Sequence, residues 1–477
     1  MLYIILFTPL ILSLLSLLLS KKFSFWILKF SSLVYFLLSI FIVYLFSIWY
    51  NYEYQIFFAN FDIIWNMASN LNTVFILLIN LLAFLIWWYA NFYFKKEVEH
   101  KVIGLNRLKE YNIFVNLFIF AMIIVASVSN ILTMWIALEA TTIFTTFLIS
   151  FYWVSTSWEA AWKYIILCSV WLTIWLFWVI MLIISGLTSL DFTSISFENV
   201  NLLLTKLSFV FIVVWFWTKV WLFPMNSWLP DAHWKASTPV SALMSSILLP
   251  LALYIIYKIK IIVDLMIWDQ NFTNSIFLWF WIITLLYSWF ILIFQKHFKR
   301  TLAYSSSENM WILALAIWIW IPLSLKLWFL HLIAHSFFKA ASFMSVWNII
   351  LEQKTWKFEK ISNLLKNQKI TWIILIISLF MLVWMPISPL FISEIWLIFS
   401  LFQENFYLSF LIIFAFILIF SWLLINFSKL FKNNKLEEIK NSETIMIEEK
   451  FWLNTIFAPI VLTILFWISS VLILFLV

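Results

Sequence analysis

Residues 218–233 read TKVWLFPMNSWLPDAH, and the interpretation of the whole chain starts from this stretch. It places Lys219, Pro224, Pro230 and Asp231 within or beside an otherwise apolar run. A charge at bilayer depth costs about 2.5–3.5 kcal/mol on insertion scales unless it faces a partner or a water-filled cavity. Prolines free backbone groups that neighbouring helices or water must satisfy. An ionisable residue beside a broken helix therefore indicates an ion path through a membrane protein.

The composition indicates the same class of protein. Of 477 residues, 65% are hydrophobic and 11% are charged, against about 25% charged in soluble domains. Apolar runs of about 20 residues recur along the chain, and the first of them is interpreted as a span because no basic segment precedes it. We expect an all-α polytopic membrane protein with about 14 transmembrane helices. The predicted spans are 2–20, 25–49, 70–93, 111–129, 131–150, 158–185, 204–227, 237–263, 273–295, 303–321, 323–351, 370–397, 402–428 and 453–476.

Charge and cysteine content exclude several function classes. The net charge of +7 comes from lysines in short connections between spans, so the expected surroundings are a lipid bilayer and no nucleic acid. The single Cys168 lies in an apolar run and excludes disulfides, CxxC metal sites and iron–sulfur ligation within this chain. We therefore expect no cofactor and no redox centre here.

The basic residues also predict an orientation. They cluster after odd-numbered spans, whereas the other connections carry acids such as Glu53, Asp62, Asp191 and Glu198. By the positive-inside rule, the odd-to-even connections are cytoplasmic and both termini lie outside. Lys258 and Lys260, at the outer end of span eight, are the exceptions. The cytoplasmic basic residues are Lys21, Lys22, Lys95, Lys96, Lys101, Arg107, Lys109, Lys296, Lys299, Arg300, Lys354, Lys357, Lys360, Lys366, Lys369, Lys429, Lys432, Lys435, Lys440 and Lys450.

Two proline pairs interrupt spans that are five apart. Pro224 and Pro230 fall in span seven, and Pro386 and Pro389 fall in span twelve. This spacing suggests two five-helix repeats, each with one broken helix, as in secondary transporters.

Three charged residues in spans five to seven are candidate site residues. Glu139 lies mid-span and Lys219 is the deepest cation, and intramembrane charges of this kind are functional hypotheses by default. A buried structural carboxylate is the alternative for Glu139. Lys163 lies about a turn and a half inside span six, so its alternative is to extend to the membrane surface.

Span eleven carries His331, His335 and Lys339 at i, i+4 and i+8, on one helix face. Three titratable groups in a row favour a proton relay. A metal site is the weaker interpretation, because the HExxH glutamate and cysteines are missing. Glu394 follows the second proline pair at membrane depth.

Further ionisable residues are less informative. Asp231 fits helix capping as well as catalysis, and Glu308 and Arg300 are expected at the membrane interface near the start of span ten.

Tryptophan and glycine contents are unusual. The chain has 33 Trp and 2 Gly, where about 33 Gly would be average at about 7%, and packed bilayer helices normally need small residues. We hypothesise that many tryptophans are glycines in the living cell, because the codon UGA is read there as Gly. The alternative is a truly Trp-rich protein.

Together these residues resemble the antiporter-like subunits of respiratory complex I, Mrp-type sodium/proton antiporters and membrane-bound hydrogenases, with hydrogenase-4 component F as the most similar type. The resemblance covers about residues 110–400. It rests on LEATT around Glu139, EAAWKYII around Lys163, residues 218–245, FKRTLAYSSSENM at 298–310, HLIAHSFFKA at 331–340 and MPISPLFISE ending in Glu394.

The resemblance implies fourteen helices with two inverted five-helix repeats. It divides the chain into N-terminal helices in 1–110, an antiporter-like proton-translocating core in 111–428, and a cytoplasmic loop with a last helix in 429–477. It also implies proton translocation within a larger redox complex of the plasma membrane, with membrane and peripheral partner subunits. By position it assigns the proton path to Glu139, Lys219, His331, His335, Lys339 and Glu394, with Lys163 as an addition.

The chain departs from the family pattern at several positions. The family often has Lys or His in the middle of span eight, whereas this span has Pro250 and no basic residue before Lys258. The path across span eight is therefore open and could use water with Ser245, Ser246 or Tyr254. Asn226 stands where the family commonly has a histidine. Trp221, Trp311, Trp347 and Trp384 fall where the family usually has Gly, whereas Trp162 and Trp228 fall where it has Trp.

The implied mechanism is a relay. An ion pair between Glu139 and Lys219 keeps the lysine charged, and their separation lets the proton move on through His331, His335 and Lys339 towards Glu394. Electron chemistry would belong to partners, so the chain is an enzyme only as part of a complex. A Mrp-type antiporter subunit, a complex I subunit and a non-transporting scaffold stay open as alternatives.

Overall fold

The apolar runs of the sequence form long helices that follow one another along the chain. The computed structural model describes residues 2–48, 53–58, 61–66, 70–192, 194–220, 228–295, 297–319, 322–353, 368–382, 388–404 and 406–432. The predicted fourteenth span, 453–476, lies outside the described residues. The helices are α1 Leu2–Leu18, α2 Ser24–Ile48, α3 Asn70–Glu99, α4 Leu105–Ser127, α5 Ile131–Ile149, α6 Ser155–Ile184, α7 Leu202–Val220, α8 Trp228–Lys235, α9 Thr238–Leu243, α10 Leu249–Ile267, α11 Gln270–Phe294, α12 Phe298–Ile319, α13 Pro322–Gln353, α14 Lys369–Leu382, α15 Pro389–Glu404 and α16 Phe406–Lys432.

Within this described part, nine helical segments are long and apolar enough to cross a membrane, and shorter apolar helices lie near both ends. The protein is therefore a helical membrane protein. One element departs from the all-α expectation: β1 Glu53–Phe58 pairs antiparallel with β2 Phe61–Asn66 between α2 and α3. This hairpin occupies one of the acidic connections.

The chain divides into two compact units. The first comprises Met1–Val240 and Ile247–Phe277, and the second comprises Ser241–Ser246 and Leu278–Val477. In the first unit, α1 packs on α4, α2 on α3, α5 between α4 and α6, and α7 on α6 and α10. In the second, α13 packs against α12, α14 and α15.

The predicted interruptions at Pro224 and Pro386 lie outside the described residues. On either side of them, the structure describes α7 up to Val220 and α8 from Trp228, and α14 up to Leu382 and α15 from Pro389. The indole N–H of Trp228 donates to the Thr218 carbonyl at 2.8 Å. This hydrogen bond joins the side chain of an α8 residue to the backbone of α7.

Span eight contains a distortion that the sequence reasoning missed. A π-helical turn, Met244–Leu248, joins α9 to α10. Pro250 follows it and lacks the N–H that would bond to the carbonyl of Ser246, one turn earlier. The Ser336 hydroxyl of α13 donates to this carbonyl at 2.7 Å instead. The π-turn is thus held by a side chain from another helix.

Candidate functional site

Lys219 is the centre of the candidate site in the first unit. It lies near the end of the described part of α7, and its side chain is fully buried. Its ammonium group donates to the Thr142 hydroxyl at 2.7 Å and to the Tyr164 hydroxyl at 3.1 Å. Buried Lys219 therefore contacts neutral oxygen atoms.

Helix α5 supplies the other half of this site. Glu139, Thr142 and Thr145 follow one another at three-residue spacing, which places them on neighbouring positions of one helix face. Thr142 and Thr145 are fully buried, and the hydroxyls of Thr145 and Tyr164 lie 2.6 Å apart. A chain of hydroxyl groups thus surrounds the lysine.

Glu139 does not form the expected ion pair. The described ion pairs do not include Glu139 with Lys219; instead the Ser169 hydroxyl donates to Glu139 Oε1 at 2.5 Å. The carboxylate lies one turn before Thr142, so Lys219 reaches α5 at Thr142 and not at Glu139. Glu139 still lies near enough to act on Lys219 electrostatically.

Lys163 is placed away from Lys219. Its side chain is about half exposed and forms an ion pair with Glu159 at 2.6 Å, one turn earlier on α6. This position matches the surface alternative more closely than a buried path. The next residue, Tyr164, faces the site instead, and the sequence reasoning missed it.

A second candidate site lies within the second unit. His331, His335 and Lys339 are fully buried along α13, as the spacing predicts. His331 Nδ1 lies 2.9 Å from the Ser393 hydroxyl. Lys339 donates to the Leu302 carbonyl at 2.8 Å and to the Ser305 hydroxyl. Helices α12 and α15 therefore supply the polar contacts of the histidine–lysine face.

Two carboxyl groups belong to this second site. Glu394 is 2% exposed and follows Ser393 on α15. Glu308 is also 2% exposed and interacts electrostatically with Lys339, so it is buried among packed helices. Helix α12 begins at Phe298, earlier than predicted, and Glu308 lies almost three turns inside it. The polar run Ser305–Asn309 was the available signal.

Other candidates have simpler placements. Asp231 lies in the first turn of α8, where the helix dipole favours a carboxylate. Cys168 is a buried free thiol. Within the described ranges, no group of three or more His, Cys, Asp or Glu side chains could hold a metal ion.

Buried lysines, carboxylates and histidines within long apolar helices are typical of membrane proteins that move ions. The transmembrane family described as "NADH:quinone oxidoreductase/Mrp antiporter" matches residues 128–421, more than half of the chain. The chain belongs to this family and is an antiporter-like membrane subunit.

Individual relatives agree with this assignment. The chain is 29% identical over 349 residues to a hydrogenase-4 component F homolog of Methylacidiphilum infernorum, covering 71% of this chain and 73% of the relative. A chain of the membrane-bound sulfane sulfur reductase, an archaeal respiratory membrane complex, has the same fold with a TM-score of 0.78 at 18% identity, covering 99% and 96% of the two chains. A chain of the Mrp complex of Dietzia sp. DQ12-45-1b has a TM-score of 0.77 at 14% identity, covering 99% and 94%.

Proposed function

We propose that the chain is a proton-translocating membrane subunit of a redox-driven respiratory complex of the hydrogenase-4 or NADH dehydrogenase type. The observation that carries this proposal is the complete burial of Lys219 against the hydroxyls of Thr142 and Tyr164. A buried ion pair contributes little to the stability of a fold. A buried lysine that contacts only neutral groups contributes even less. Proton transfer explains why this group is retained at membrane depth.

The proposed path begins in the first unit. Lys219 binds and releases one proton. The negative charge of Glu139 favours the protonated form of Lys219. In the second unit His331, His335 and Lys339 carry the proton along α13, and it leaves near Glu394. Lys163 has an auxiliary role at most, because it is paired with Glu159 at the surface.

The finer architecture belongs to the same proposal. Fourteen transmembrane helices include two inverted five-helix repeats, and each repeat contains one of the two proline-containing spans. Residues 111–428 form the translocating core between N-terminal helices in 1–110 and a terminal region in 429–477. The subunit lies in the plasma membrane with both termini outside.

Partner subunits complete the proposed machine. The solved relatives are chains of multi-subunit complexes, and we place the electron chemistry of this complex on other membrane and peripheral subunits. No cofactor is assigned to this chain.

A Mrp-type sodium/proton antiporter subunit is the second candidate. It is supported by a TM-score to the Mrp chain that is almost equal to that of the respiratory chain, 0.77 against 0.78. The same buried residues would then exchange protons against Na⁺ without electron transfer.

Proton uptake into inverted membrane vesicles that contain the assembled complex tests the proposal. Lys219→Ala removes the carrier, so uptake should fall at least tenfold while the amount of complex is unchanged. Glu139→Gln should act similarly because an amide carries no charge, and Glu139→Asp should retain part of the activity. Lys95→Ala, at an exposed position, is the matched control. Normal uptake by the Lys219→Ala complex would refute the proposed function.

The driving force separates the two candidates. Vesicles are energised in turn with H₂, with NADH and with a Na⁺ gradient. The redox-driven proposal requires uptake with H₂ or NADH. Uptake with the Na⁺ gradient alone would support the Mrp-type alternative.

A further inference from the structure

A buried carboxyl group at the end of α3 lies outside the site described above. Glu97 is 3% exposed, although Lys95 and Glu99 on the same turn are exposed. Phe94, three residues before it on the same helix, packs against Tyr111 and Phe151 with ring centroids 4.4 and 5.6 Å apart. The cost of burying a carboxyl group in such surroundings calls for an explanation.

Two tyrosines connect Glu97 to the loop after α5. The Tyr152 hydroxyl donates to Glu97 Oε1 at 2.8 Å, and the hydroxyls of Tyr152 and Tyr93 are also hydrogen-bonded. Burial, and then the charge of Glu97, raise the pKa of Tyr152 well above its usual value. Tyr152 therefore keeps its O–H proton and can both donate and accept a hydrogen bond.

Further hydroxyl groups lead from this cluster towards Lys219. Tyr152 follows α5, and Ser150 and Thr146 lie between it and Thr145, which contacts Tyr164. From Thr145 to the end of α5 at Ile149 the helix rises about 6 Å, and three further residues lead to Tyr152. Ser150 is 2% exposed. The end of α5 thus carries two hydroxyl groups between Thr145 and Tyr152, which donate to the carbonyls of Thr142 and Phe147.

From this placement we infer that Glu97 is the proton-uptake residue for Lys219, an inference that rests on the proposed function. Glu97 as a carboxylate takes one proton from the cytoplasmic side. The resulting carboxyl group donates that proton to the Tyr152 oxygen while Tyr152 passes its own proton to the next hydroxyl or water. Each group returns to its starting state and one proton has moved inward. Tyr93 holds the Tyr152 hydroxyl in position.

The alternative role for Glu97 is to fasten α3 to the loop after α5. Glu97→Gln separates the two roles, because the amide oxygen still accepts the Tyr152 hydrogen bond but cannot carry a proton. We expect Glu97→Gln to lower proton uptake at least tenfold with a normal amount of assembled complex. Glu97→Asp should retain a substantial fraction, and Glu99→Gln, at an exposed carboxylate two residues away, should leave uptake unchanged.

If the Glu97→Gln complex does not assemble, a second variant tests the inference. Tyr152→Phe keeps the ring and removes the hydroxyl, and we expect the same tenfold loss. Uptake at the normal rate in an assembled Glu97→Gln complex, or in Tyr152→Phe, would overturn the inference.

Lys219→Ala, measured in the same vesicles, distinguishes this failure from failure of the proposed function. If Lys219→Ala is inactive and Glu97→Gln is fully active, only the proposed role of Glu97 is refuted. If Lys219→Ala is fully active, both the proposed function and the inference are refuted.

Discussion

Lys219 and Lys339 are fully buried lysines whose ammonium groups contact neutral oxygen atoms. Lys219 donates to hydroxyls of Thr142 and Tyr164, and Lys339 to the Ser305 hydroxyl and the Leu302 carbonyl. A hydroxyl accepts a hydrogen bond from an ammonium group and can rotate to donate one to a neutral amine. Each lysine therefore keeps a hydrogen-bond partner in either charge state, which a proton carrier requires.

Single residues also bear on the hypothesis that many tryptophans are glycines. Trp153 and Trp268 have positive φ angles of 54° and 53°, and Trp268 caps the C-terminus of α10 in the left-handed conformation. Glycine is the usual residue at such positions because it has no Cβ. By contrast, the buried Trp228 donates its indole N–H to a carbonyl at 2.8 Å, as a true tryptophan would.

We expect the codons of the 33 tryptophans to divide into UGA and UGG classes. Trp153 and Trp268, together with Trp221, Trp311, Trp347 and Trp384, should be UGA, and Trp162 and Trp228 should be UGG. Peptide masses of the native protein should then show glycine at the first set and tryptophan at the second. UGG at every position, or tryptophan masses at 153 and 268, would contradict this prediction.

At the scale of elements, two side chains bond to backbone carbonyls of other helices. Trp228 donates to the Thr218 carbonyl of α7, and Ser336 donates to the Ser246 carbonyl in the π-turn before Pro250. Water is excluded from the apolar interior of a bilayer, so every freed backbone group there needs a partner within the protein. The π-turn is thus part of the packing and has a defined hydrogen bond.

Ser336→Ala should destabilise the protein by about 1–3 kcal/mol, because a buried carbonyl loses its donor. The thermal unfolding temperature of the purified complex is the measurement. Ser275→Ala is the matched control, since Ser275 is exposed and its hydroxyl bonds only within its own helix, to the Asn271 carbonyl. Equal unfolding temperatures for the two variants would show that the Ser336 bond contributes nothing measurable.

At the scale of the whole molecule, orientation decides which end of each site takes up protons. Two connections should lie on opposite sides of the membrane. One is the basic connection between α3 and α4, and the other is the loop between α6 and α7, which carries Asp191 and Glu198. The proposed uptake at Glu97 requires the first of these on the cytoplasmic side.

Cysteine labelling tests this orientation in a Cys168→Ser background, which removes the only cysteine of the chain. Lys101→Cys should react with an impermeant maleimide only in inverted vesicles, and Glu198→Cys only in intact cells. Both positions are exposed, so a missing signal would not reflect burial. Reversed labelling would overturn the proposed orientation.

Much of the fold could be predicted from the sequence, because apolar length is a local property. The first thirteen predicted spans overlap described helices, and nine described segments are long and apolar enough to cross a membrane. The burial of Lys219 and of the His331–His335–Lys339 face also follows from helical spacing in an apolar context. Family membership followed from short motifs around the same residues.

Tertiary structure alone decided what these buried groups contact. The partners Tyr164 and Ser393 are ordinary residues of apolar helices, and the direction of a side chain depends on how two helices pack. For the same reason Glu139 bonds to Ser169 and not to Lys219, and Glu308 and Glu97 are buried although each lies near basic residues in the sequence. Local sequence determines which segments enter the membrane, whereas the contacts of a charge inside it depend on residues that are distant in the chain.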